Sequence, residues 1–79
     1  MTIAEALCSD QWTDGEKFIL EWKAGTMGHF RTALAETICR ADLSNLSRLH
    51  KAFPEEVDAF KAWAHGDLGG RFREAGIQI

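Results

Sequence analysis

The sequence predicts an all-α fold, a compact single domain over residues 1–79 built from five to six short helices. Three observations carry this expectation. Two capping-box pairs, Thr2 with Glu5 and Thr13 with Glu16, each stand ahead of an apolar segment. From Phe30 to Ala41, the residues Phe30, Ala33, Leu34, Thr37, Ile38 and Ala41 recur at the i, i+3, i+4, i+7 spacing of a helix face. No segment carries the alternating pattern of a strand, and the single proline stands between periodic segments.

Taken in order, Thr2 opens a short first helix through Leu7. Thr13 opens a second to about Ala24, with Gly25 placed to end it in the left-handed conformation. On that second helix Phe18, Ile19 and Trp22 share the inner face, and Leu20 is expected to point outward between Glu16 and Lys23. The third helix spans roughly Met27 to Arg40. Its other face carries Gly28, Thr32, Ala35 and Cys39, all small, so the helix is expected to be central and covered on two sides. The same stripe could otherwise pair two copies of the chain as a homodimer. Asp42 or Ser44 caps a fourth helix with Leu43, Leu46, Leu49 and Phe53 along one side. Pro54 starts a fifth, with Val57, Phe60, Trp63 and Ala64 inward. Gly66 ends it, and Asp67 is the expected cap of a last short helix bearing Leu68 and Phe72. The terminal Gly-Ile-Gln-Ile is expected either to fray or to pack back as an extended tail.

Composition supports a real core: 46% of residues are hydrophobic, including three Trp and five Phe. Each large aromatic can bury roughly 150–250 Å². A chain this short hides only about 60–65% of its unfolded surface, so the core has little redundancy. The net charge of −3 counts against a free nucleic-acid binder, which carries a basic patch for phosphates. Cys8 and Cys39 form no CxxC or metal spacing and are expected to be free thiols in a reducing, cytoplasmic setting. Glu5 and Asp10 interrupt any signal-peptide core, and no apolar run approaches the ~20 residues needed to span a bilayer.

Little in the sequence resembles catalytic chemistry. Glu55 and Glu56 follow Pro54 directly, where carboxylates favour the positive end of a helix by about 0.3–1 kcal/mol each. Adjacent helical side chains diverge by about 100°, so the two do not form a facing acid–base pair. Phe53 lacks a side-chain acceptor, and Glu56 is expected to reach back to a free backbone N–H. His50 lies at the edge of the apolar side of its helix, while His29 and His65 read as surface residues. No HxxxH, HExxH or Cys–His cluster exists, and the paired glycines lack the Lys-Ser/Thr of a phosphate loop. We therefore expect no enzyme activity, no catalytic residue, no metal site and no cofactor.

Arg40, Arg48 and Lys51, with His50, give local basic character to a helix-turn-helix-like arrangement. Carboxylates at Glu55, Glu56 and Asp58 would begin its recognition helix and be repelled by phosphates. Protein–protein binding remains, with Trp12, Leu20, Arg48, Lys51 and Glu55 as the candidate contact residues.

Residues 18–63 also resemble a widespread group of small phage, prophage and mobile-element proteins. The pattern is an aromatic and Trp (Phe18, Trp22), Gly-x-x-Gly-x-Phe (Gly25, Gly28, Phe30) and an ALxEAI-like helix through Ala33 and Leu34. Ala41, Asp42, Asn45 and Leu49 follow, then FPEEV from Phe53 to Val57. The group has no catalytic or metal residue in its pattern, so the resemblance implies origin more than activity. The C-terminal segment from Gly66 lies outside it. The expected function is binding of a host or phage protein, with inhibition of a host defence such as a CRISPR effector as the most concrete form. A small nucleic-acid-associated regulator is the alternative.

Overall fold

Local hydrogen bonding sets where the helices begin. The computed structural model describes residues 1–78. It contains α1 (Ile3–Leu7), α2 (Asp14–Ala24), α3 (His29–Arg40), α4 (Leu43–Ala52), α5 (Pro54–Ala64) and α6 (Asp67–Glu74), with no strand among the described residues. The architecture is all-α, as the sequence predicts.

Both capping boxes are closed. The Glu5 N–H donates to Thr2 Oγ1 and the Thr2 N–H to Glu5 Oε1, each at 3.1 Å. In α2 the Glu16 N–H donates to Thr13 Oγ1 at 3.1 Å, and the Thr13 N–H to Glu16 Oε1 at 2.9 Å. Asp42, not Ser44, caps α4, accepting from the Asn45 N–H at 2.8 Å. Three details differ from expectation. α3 starts at His29 with Gly28 as its cap, later than Met27. No side chain caps α5, so Glu56 does not reach back, and the start rests on Pro54 and the two glutamates. Gly66, at φ 88°, ends α5 and begins α6, which makes Asp67 the first helical residue rather than the cap.

The tail packs back. The Ile77 N–H donates to the Phe72 carbonyl at 2.9 Å and the Gly76 N–H to Arg73 at 3.0 Å, the paired bonds of a Schellman closure. That closure folds Ile77 into the core, where it is buried. Ile79 lies outside the described residues.

α5 occupies the centre. It packs on α2, α3, α4 and α6, while α1 lies against α2. Val57, Ala59 and Phe60 are its buried residues. The expectation that α3 would be central is corrected: only Leu34, Ala35 and Ile38 of α3 are buried, and its main helix neighbour is α5. The small stripe divides accordingly, with Ala35 inside the chain and Gly28 and Cys39 on the surface. Ala35 is therefore covered within the chain and not available to a second copy.

Two aromatic groups fill the space around α5. Phe60 meets Phe18 at 6.0 Å and Trp22 at 5.0 Å between ring centroids, and Phe72 meets Trp12 at 5.0 Å and Trp63 at 6.4 Å. The Lys23 ammonium links the groups, lying 4.6 Å from the Trp22 ring and 4.9 Å from the Trp63 ring. The start of α2 runs so close to α5 that Gly15 is required there. A Cβ at Gly15 would overlap the Glu55 carbonyl and sit 3.3 Å from the Ala59 Cβ.

The Cα radius of gyration, 12.3 Å, exceeds the value of about 11.6 Å expected for a domain of this length. The longest dimension is 36 Å against 19 Å for the shortest. No helix is long and apolar enough to cross a membrane.

Gly15→Ala separates steric fit from helix propensity. Alanine is intrinsically the better helix former, yet overpacking against the α5 backbone should dominate and destabilise the domain by about 1–3 kcal/mol. Urea unfolding measures it, and a stabilised variant would contradict the close crossing.

Candidate functional site

The structure divides the five candidate contact residues. Leu20 is 0% exposed, which corrects its expected outward position. α2 carries α1 as well as α5, so a second face of the helix is covered. Trp12 is likewise buried, packed against Phe72 of α6 with the rings tilted by 59°, and its indole Nε1 has no hydrogen-bond partner among the described residues. Both are core residues, unavailable to a partner. Glu55, Arg48 and Lys51 are exposed, and Arg48 and Glu55 line different depressions.

Glu55 lines a depression of about 330 Å³ between α2, α5 and α6, together with Asp58, Thr13 and Ala59. Its floor is closed by an ion pair from the Arg71 guanidinium to the nearly buried Glu16 carboxylate. Glu16 thereby serves two purposes, capping α2 through one oxygen and tying α6 to α2 through the other. The pair is explained by architecture. Another depression, of about 310 Å³, lies among Trp22, Ile38, Leu46, Phe60 and Trp63. No group of three or more His, Cys, Asp or Glu could hold a metal ion among the described residues. His50 lies 2.9 Å from the Asp58 carboxylate, joining α4 to α5.

Arg48 belongs to a different and larger feature. α3 and α4 are joined by only two residues, Ala41 and Asp42, yet they make at most glancing backbone contact with each other. Each leans on α5 instead, and a groove of about 480 Å³ opens between them. From α3 it is lined by Thr37 and Arg40, with Ala41 at the turn; from α4, by Asn45, Arg48, Leu49 and Ala52. Its floor is apolar and its polar groups are two guanidiniums, a hydroxyl and an amide.

The same row of α3 continues toward the start of the helix through Ala33 and Phe30, by i+3 and i+4 steps. Phe30 is 70% exposed, held only on one side by Phe53, whose ring centroid is 6.4 Å away. The sequence-predicted apolar row of α3 is therefore split. Leu34 and Ile38 enter the core, while Phe30, Ala33 and Thr37 stay outside. α4 is covered even less: none of its residues is fully buried, and Leu43, expected on the inner side, is 86% exposed.

Charge marks the groove as well. Arg31 pairs with Glu21 and Arg71 with Glu16, whereas Arg40 and Arg48 have no ion-pair partner among the described residues. Lys51 is exposed on α4 outside the groove lining. The sequence pointed to Arg48 as a contact residue and to Arg40 only as local basic character, and did not join them with Phe30, Thr37, Leu49 and Ala52. The available signal was the width of the α3 row, which carries more apolar positions than one neighbouring helix covers.

Cys39, near the end of α3, has its thiol pushed above the ordinary value of 9.0. Partial burial is the main cause; Glu36 adds to it, and Lys23 and Arg40 oppose. No family model, curated protein or solved structure matches the chain.

The thiol shift fixes a pH dependence. The unfolded chain ionises Cys39 first, so this contribution to stability is intact below 9.0 and declines as pH rises from there through the folded value. Thiolate absorbance of a Cys8→Ser variant should titrate with a midpoint above 9.0 when folded. A midpoint below it would contradict the burial of the sulfur.

Proposed function

We propose that this chain is a non-enzymatic protein-binding module whose working face is formed by α3 and α4. The observation that carries the reading is the apolar row of α3 that leaves the core and continues across the surface, ending at Phe30, 70% exposed. Isolated exposed apolar residues are ordinary, but here Leu49 and Ala52 line one groove, and the α3 row that reaches it at Thr37 begins at Phe30 and Ala33. Such a groove between two helices suits a third helix from another protein.

The resemblance of residues 18–63 to small phage and mobile-element proteins supports such an origin and action in the host cytoplasm. On that basis the partner is a host or phage protein, and inhibition of a host defence, a CRISPR effector for example, is the concrete form favoured by size, acidity and origin. A nucleic-acid-associated regulator is favoured by one observation, the convergence of Arg40 and Arg48. Arg31 and Arg71, which would extend such a patch, are instead engaged by Glu21 and Glu16.

Affinity purification from host lysate, comparing the natural chain with Phe30→Asp, tests the reading. Phe30 is exposed, so the variant should keep its helical circular dichroism while losing the bound protein by about tenfold or more. Equal recovery by both forms, or a shift of duplex DNA at moderate salt in place of protein capture, would overturn it.

A further inference from the structure

Resting on the protein-binding reading above, we infer that the α3–α4 groove receives an acidic amphipathic helix of a partner protein. Shape gives the first argument. The groove is lined by the last turn of α3, through Thr37 and Arg40, and by α4 from Asn45 to Ala52, so its longer wall extends about 12 Å, or roughly two turns of an occupant. Its apolar centre, Leu49 with Ala41 and Ala52, accepts a row of side chains at i, i+4 and i+7.

Charge gives the second argument and selects among occupants. Arg40 and Arg48 face the groove from opposite walls, and neither is paired within the chain among the described residues. Glu36, one turn before Arg40, does not pair with it. Guanidiniums reaching in from both sides favour carboxylates along the flanks of the occupant and disfavour lysines.

A second copy of this chain fits poorly. Symmetric pairing through the groove would bring four guanidiniums to one interface, and like charges there oppose association. Nucleic acid fits poorly as well, because the groove floor is apolar where a phosphate backbone needs a run of cations.

Two fluorescein-labelled helical peptides of about three turns, sharing one Leu/Ala face, provide the probes. One carries Glu on its flanks and the other Lys. Fluorescence anisotropy at about 0.1 M salt should show the Glu peptide binding at least about tenfold tighter, with the preference reversed by Arg40→Glu with Arg48→Glu. Both positions are exposed, so the doubly substituted chain should remain folded by circular dichroism.

Equal or tighter binding of the Lys peptide overturns the acidic partner. Loss of that binding in Phe30→Asp would then leave the protein-binding face standing. Binding of neither peptide overturns both the partner and the face. A dimer in sedimentation that is abolished by Phe30→Asp, or displacement of the Glu peptide by duplex DNA, likewise overturns the acidic helix as occupant.

Discussion

The crossing of α2 over α5 is the constraint on which the other contacts depend. Gly15 lets the α2 backbone approach the Glu55 carbonyl closely. That approach places Phe18 and Trp22 against Phe60, and Glu16 where Arg71 can reach it. A bulkier residue at Gly15 would hold the helices apart and loosen the ring contacts together with the tie to α6. In a domain whose total stability is of order 5–15 kcal/mol, few crossings could be lost without unfolding.

Placing α5 at the centre has a cost for α3 and α4. α5 is already engaged by α2 and α6, so the hairpin of α3 and α4 finds only part of its surface free. α3 contributes three buried residues to the core and α4 only partly buried ones, and each leaves the remainder of its apolar row outside. Leu34, Ala35 and Ile38 anchor α3, whereas α4 is held by the partial burial of Leu46, Leu49 and Phe53 and by the His50–Asp58 contact. The functional proposal follows from this division. Of the residues left over, Leu49 and Ala52 line a groove that also holds two arginines, and a partner helix would complete the layer that α3 and α4 begin.

The elements were legible in the sequence because their determinants are local. Thr2, Thr13 and Asp42 cap by bonds to residues three positions on, and Pro54 starts α5 by its own ring geometry. The inward rows of α5 and α6 were largely legible for a similar reason, since Val57, Phe60, Leu68 and Phe72 repeat at helical spacing, whereas Ala64, also expected inward, is exposed at the end of α5. Which faces are covered was less legible, because that depends on contacts distant in sequence. Leu20 reads as outward beside Glu16 and Lys23, until α1 and the Glu16–Arg71 pair close over α2. The small stripe of α3 reads as a close-packing surface, yet only Ala35 is used as one. The groove was invisible because Arg40 and Arg48 come to line one depression only through the way α3 and α4 each pack on α5.

The central claim is that α2 and α5 form a tightly crossed core and that α4 is an incompletely covered outer helix. Native-state amide hydrogen exchange tests it most directly, because local openings and global unfolding are resolved helix by helix. The account requires the slowest amides of α2 and α5 to exchange only through global unfolding. Those of α4 should exchange through a smaller opening, at least about 1 kcal/mol below it. Protection in α4 equal to that in α5, with both following global unfolding, would contradict the account.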